Sequence, residues 1–148
     1  MKRSEARELA VRLCFAISEN PVDARELLDD IFEEEHYASL AEEDALFEED
    51  PGKQRDYIDK LVSGVGLHNA EPDDYIMRYS IGWNFDRISR TAIAVMKVAM
   101  YEILYMPDIP TRVSVNEAVE LAKCYAEEDT VPFINGVLGA FVKGETTE

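Results

Sequence analysis

VSVNEAVELAKCYAEEDTVPFINGVLGAF, residues 113–141, carries two apolar patterns at helical spacing with an acidic corner between them. In the first, Val115, Val119 and Ala122 fall on one face. Ser114-Val115-Asn116-Glu117 fits the S-x-x-E capping box, in which Ser114 and Glu117 each satisfy an orphan amide, so the spacing predicts a helix start here with Asn116 in its first turn. The pattern runs out in AEEDT. Thr130 ahead of Val131-Pro132 has the form of a new N-cap, which opens a last helix over 132–142. Asn116 and Asn135 then stand in first turns of successive helices, where amides can bond backbone across the pair; both are expected to be buried structural amides. Gly136 beside the second marks an expected close approach of two helices.

Working toward the N-terminus, Ser89 to Tyr105 is the most apolar helical pattern, with Ile93, Val95, Met96, Val98, Ala99, Met100, Ile103 and Leu104 too widely spread for one exposed face. It is expected at the centre of a bundle. Pro107 and Pro110 in MPDIP stop it. Residues 69–80 predict a helix with Pro72 early in it, and Gly82 breaks the run. Tyr57, Ile58, Leu61, Val62 and Val65 form another stripe after Gly52. Leu27, Leu28, Ile31 and Phe32 begin a helix from Asp23 that runs into the poorly periodic acidic segment 33–52, expected as a solvated loop or a short helix. Ala6, Leu9, Ala10, Leu13 and Ile17 give the first helix, with Pro21 just past its end. About seven helices without an alternating strand pattern predict an all-α chain, packed as two small helical subdomains in one domain over residues 1–148.

Charge is distributed unevenly. Formal net charge is −16, yet residues 1–18 carry Lys2, Arg3, Arg7 and Arg12 against Glu5 and Glu8 for a net +2. Residues 19–50 hold fourteen acids against Arg25 alone, a net −13. A basic patch more than a Debye length of about 8 Å from that stretch keeps its own field, so the sum does not exclude a polyanionic partner. No apolar run approaches the roughly 20 residues that cross a bilayer, and the start is an amphipathic helix rather than a leader. Cys14 and Cys124 are distant and offer neither a redox pair nor a zinc framework, which fits a reduced, cytoplasmic setting.

Chemistry-bearing constellations are absent from the sequence. His36 and His68 have no companion ligands at metal spacing, Gly64 and Gly66 lack the strand that a dinucleotide fingerprint needs, and no nucleophile–base pair is legible. No catalysis, metal or cofactor is expected. On the first helix, Phe15 falls roughly opposite the Leu9, Leu13 and Ile17 stripe with Arg12 beside it. Two roles remain open for it: an outward ring that stacks an unpaired base, or a second packed flank shared with Val11.

VSVNEAVELAK followed by FINGVLG, together with ARELAVRLCF near the start and MKVAMYEI in the central helix, resembles the NusB family of bacterial transcription antitermination factors. The resemblance extends from Ala6 to Leu138 and is poorest over 33–52. It implies an all-α fold in two subdomains and a non-enzymatic role: binding the single-stranded boxA element of nascent ribosomal RNA leader together with NusE, a small-subunit ribosomal protein. The assembly then helps RNA polymerase read through terminators, with no membrane and no direct DNA contact. Carried onto this chain, the RNA-contacting positions are Lys2, Arg3, Arg7, Phe15, Lys123, Asp129, Thr130 and Phe133. The chain departs from the family's pattern at Ala92-Ile93, where an Asp-Arg pair is common, at Gly139, often Asp, and in an N-terminus with fewer arginines. A second expectation follows from the acidity: a NusB-like protein-interaction module that has lost most RNA affinity and binds a basic partner.

Overall fold

A computed structural model describes residues 1–20, 22–68 and 70–146. Among these there is no strand, and eight α-helices follow in order: α1 Arg3–Glu19, α2 Ala24–Ile31, α3 Glu34–Leu40, α4 Gln54–Leu67, α5 Ala70–Tyr79, α6 Arg90–Tyr105, α7 Thr111–Tyr125 and α8 Thr130–Glu145. Two 3-10 turns, Ala45–Glu48 and Phe85–Arg87, complete them. The extra helix relative to expectation lies in the acidic segment, where Glu33 caps α3 by accepting from the Glu35 and His36 amides at 3.1 and 2.8 Å. Pro21 and Asn69, expected as a breaker and a helix start, lie outside the described residues. The chain divides into two compact units between Gly66 and Leu67.

In the first unit, α1 buries Ala6, Leu9, Ala10 and Leu13 as its periodicity predicts, and also Val11 and Cys14, so it is covered on two flanks. Asp23 starts α2 by accepting from the amides of Arg25 and Glu26. Leu28 from α2, Phe32 just past its end, Leu46 from the 3-10 turn, and Tyr57, Ile58, Leu61, Val62 and Val65 from α4 supply the rest of the buried hydrophobic set. Arg12 pairs with Glu8 one turn back at 3.0 Å and with Asp44, tying α1 to the acidic segment. The Leu46 amide and then the Arg12 guanidinium hold the Asp44 carboxyl below its ordinary range. Arg25 reaches Asp59 of α4 at 3.7 Å.

The second unit is organised around α6, which buries Ala92 and every residue from Ala94 to Glu102. Its start is fixed by Ser89, whose hydroxyl accepts from the Ala92 amide at 3.1 Å. α7 packs along α6, α8 covers both, and α5 closes against α6 and α8. Lys97 of α6, nearly buried, meets Asp73 of α5 at 3.1 Å. Phe141 is fully buried, with Tyr75 and Tyr79 set edge-on to its ring. Gly144 passes so close to Tyr79 that a Cβ there would collide with the phenol ring.

The two helix starts in residues 110–135 differ from expectation. α7 begins one turn earlier, because Pro110 at φ −58° is already set for a helix entry and Thr111 follows directly. Ser114 is therefore not a cap. It is 1% exposed and donates its hydroxyl to Glu102 Oε2 at 2.9 Å, a buried bond between α7 and α6. At α8, Asp129 is the flanking residue and Thr130 the first helical one.

The Ser114–Glu102 contact generates a stability prediction. Ser114→Ala removes one hydrogen-bond donor from a carboxylate that is 0% exposed, and should lower unfolding free energy by about 1–3 kcal/mol. A thermal or urea melt unchanged from the parent would contradict the assignment.

Candidate nucleic-acid interface

The basic start of α1 is divided by its own geometry. Lys2 and Arg3 are exposed, and Lys2 heads the helix with its amide donating to Glu5 Oε1 at 2.9 Å. Arg3 donates from Nε to Gln54 Oε1 at 2.7 Å, and its guanidinium lies 4.1 Å from the centre of the Tyr57 ring. Arg7, one turn on, stacks at 5.8 Å from the same ring and is 3% exposed. A guanidinium so enclosed serves the fold and is closed to a phosphate, so Arg7 does not belong to the accessible set in which the sequence placed it. Phe15 is half-buried, and Val11 on the same flank is 3% exposed. Its ring is neither the open platform nor the core residue of the two expectations, and part of it stays accessible.

The second set sits wholly in the second unit, at the corner between α7 and α8. Lys123 is exposed in the last turn of α7, where a cation meets the negative helix end, and its ammonium pairs with Glu120 at 2.9 Å. An exposed pair of this kind contributes little and yields readily to a polyanion. Asp129 is exposed and Thr130 half-buried at the start of α8. Phe133, three residues after Thr130 and four after Asp129, shares their face of the helix. Its ring rests against Trp83, with centroids 4.5 Å apart. Sequence patterning did not single out Trp83, which lies in an irregular loop outside every periodic run.

Asn116 and Asn135 are both exposed. They were expected inside, bonded across the helix pair. Because α7 and α8 begin earlier than the capping motifs suggest, both asparagines fall in second turns and point to solvent. Gly136 is likewise exposed, with nothing within 4 Å of the position a Cβ would take, so no helix approaches it. Among the described residues no cluster of His, Cys, Asp and Glu is able to hold a metal, and neither Cys14, which is buried, nor Cys124, which is exposed, is in a disulfide.

Both units are all-α: the first has exposed cations at a helix start, and the second a lysine, a hydroxyl and paired aromatic rings at a helix corner, which together define an all-helical class of protein. A model described as the NusB family matches residues 4–143, and the chain belongs to the NusB family. That family is one of transcription antitermination proteins, not of enzymes. Relatives named transcription antitermination protein NusB include one from Thermoanaerobacter pseudethanolicus, 36% identical over 148 residues that cover 100% of this chain and 95% of the relative. Another, from Listeria monocytogenes, is 38% identical over 138 residues, 93% of this chain and 94% of the relative. Among solved structures, NusB of T. maritima superposes with a TM-score of 0.72 at 25% identity, covering 100% of this chain and 94% of that one. A crystal structure of antitermination factors NusB and NusE in complex with dsRNA has the same fold, with a TM-score of 0.75 at 23% identity over 95% of this chain and 96% of that one.

The burial pattern separates fold residues from surface ones in a way that substitutions can check. Asn116→Ala and Asn135→Ala should leave stability within about 0.5 kcal/mol of the parent, whereas Arg7→Ala should cost about 1–3 kcal/mol through lost burial and ring contact. Chemical denaturation of the three variants decides it; a marked loss in either asparagine variant, or none in Arg7→Ala, would reverse the assignment.

Proposed function

We propose that the chain is a transcription antitermination factor that binds boxA-type single-stranded RNA of the nascent ribosomal RNA leader together with NusE, and that the resulting assembly lets RNA polymerase pass terminators. Family membership over residues 4–143 carries this reading. Exposed Lys2, Arg3 and Lys123, with Phe133 and the accessible part of Phe15, support it as the RNA-contacting set, and Asp129 and Thr130 flank Phe133 on its helix face. Lysine and arginine neutralise phosphates while the rings take unpaired bases. The protein acts in the cytoplasm without a membrane or direct DNA contact; among the described residues no helix is long and apolar enough to cross a membrane.

With three accessible cations in that set, RNA binding by the protein alone is weak. NusE supplies the remaining affinity by adding its own surface to the same RNA. The start of α1 is not segregated from the acidic segment in space, because the Met1 ammonium next to Lys2 lies 3.4 Å from Glu49; that field weakens the contribution of Lys2 and Arg3 at low salt and is screened beyond about 8 Å.

A second reading, a protein-interaction module with little RNA affinity, has one structural observation in its favour. The acidic segment of the first unit borders an open hollow of about 660 Å³ whose lining includes Phe32, Tyr37, Phe47, Glu48, Asp50 and Arg55. Burial, with Asp50 and Glu49 adding to it, pushes the Tyr37 phenol up to about 12, so it stays protonated and donates to the Glu49 carbonyl at 2.9 Å. Arg55 of the chain itself already lies over the Phe32 ring at 4.8 Å, so a basic side chain of a protein partner would meet the Tyr37 and Phe47 rings and the Glu34, Glu48 and Asp50 carboxylates beside it.

One titration separates the readings. Single-stranded boxA-type RNA should bind with a log–log salt slope near −2, from about three neutralised phosphates at roughly 0.7 each, and should bind more tightly when NusE is present. NusE binding without any RNA affinity at low salt, alone or in the complex, would transfer the function to the protein-interaction reading.

A further inference from the structure

The loop between α5 and α6 holds one large ring in the open. Ser80, Ile81, Gly82 and Trp83 form a turn closed by the Trp83 amide donating to the Ser80 carbonyl at 3.0 Å. Gly82 occupies its third position with φ +86°, as in a type II turn, a conformation that a side chain would strain. On the other side, Asn84 Oδ1 accepts from the Asp86 amide at 3.0 Å and starts the 3-10 turn Phe85–Arg87. Trp83 is thus fixed by hydrogen-bonded backbone before and after it. Its ring meets Phe133 of α8 at 4.5 Å with the planes tilted by 48°, yet 54% of the residue remains exposed.

What surrounds that ring indicates what covers it. Residues 80–90 carry Arg87 and Arg90, both exposed, against the one acid Asp86, and so are locally basic in a chain of net charge −16. Ile81, 89% exposed, adds apolar surface that a protein partner would also use. Two exposed arginines four and seven residues along the chain from an exposed tryptophan favour a polyanion with flat rings, because every base offers a π-face and every nucleotide a phosphate. Phe133 extends the aromatic surface toward Thr130 and Asp129 on the same helix face.

We propose that Trp83, seated on Phe133, is a base-stacking platform for single-stranded RNA, with Arg87 contacting the adjacent phosphate. The inference rests on the RNA-binding reading above and adds to it a residue and a loop that the family resemblance did not supply. The Gly82 turn preorganises the ring, so stacking costs little ordering of the protein.

Trp83 is the chain's one tryptophan, so its emission reports the site directly. The full chain is titrated with single-stranded boxA-type RNA, with a tryptophan-free NusE, and with both; Trp83 emission and, in parallel samples, anisotropy of labelled RNA are recorded. RNA should quench Trp83 with the midpoint seen by anisotropy. Trp83→Ala should weaken RNA binding about 5- to 150-fold, the range for one stacked base, and Trp83→Phe should recover most of it, which unfolding would not allow. Arg87→Gln should flatten the salt slope by about 0.7. If RNA binds while Trp83 emission and Trp83→Ala affinity stay unchanged, the platform is overturned and RNA binding stands. Emission that responds only to NusE gives the surface to the protein partner and overturns the platform. Failure of RNA to bind in every arm removes both the RNA reading and the platform.

Discussion

The bond from Ser114 to Glu102 is the constraint from which the second unit follows. A carboxylate that is 0% exposed tolerates burial only where donors meet it, and the donor arrives from α7 across the interface with α6. A rotation of α7 by one residue would swing Ser114 away by about 100° and leave the carboxylate short of a partner. The contact therefore fixes which face of α7 is inside. Once that face is fixed, Lys123 emerges outward at the end of α7, the chain turns through residues 126–129, and α8 starts with Phe133 on the flank that meets Trp83. The polar bond in the core and the exposed corner are one geometric arrangement.

Electrostatics in this chain depends on position rather than on total charge. Most of the acidity lies in 19–50, where α3 and the 3-10 turn at Ala45–Glu48 give it an ordered framework, and some of it is already paired: Asp44 with Arg12 and Asp29 with Arg25. The exposed cations of the candidate interface fall at helix ends, Lys2 and Arg3 at the start of α1 and Lys123 at the end of α7, and in the loop before α6; Lys53, Arg55, Lys60, Arg78, Arg112 and Lys143 are exposed elsewhere. A net charge of −16 keeps nonspecific polyanions at a distance while leaving these places able to hold a phosphate.

Periodicity made the helices legible. Ala6, Leu9, Ala10 and Leu13 repeat at helical spacing and are buried; so are Ile58, Leu61, Val62 and Val65, and the long apolar run of α6 is buried almost throughout. These depend on local spacing, which a single sequence displays. What was not legible depends on partners distant in the chain. Ser114 reads as a cap until Glu102 is known to lie beneath it, Arg7 reads as a free cation until Tyr57 is found across its guanidinium, and Asn116 and Asn135 turn outward because their helices start earlier than the capping motifs imply. Trp83 was missed for a related reason. A residue in an irregular loop has no period, and its one local signal was the neighbouring Gly82, read only as a helix breaker. Lys2, Arg3 and Lys123, named as RNA-contacting positions through the family resemblance, are exposed at helix termini.

The central claim is that this acidic chain meets RNA through a few local cationic and aromatic places while its acidic segment stands aside. Amide chemical-shift mapping of the isotopically labelled protein, titrated with single-stranded boxA-type RNA in the presence of unlabelled NusE and compared with NusE alone, tests it most directly. The account predicts RNA-dependent shifts concentrated at residues 2–4, 81–87, 123 and 129–134, with 26–50 unmoved. Shifts confined to the acidic segment, or a spectrum indifferent to RNA at saturating concentration, would contradict it.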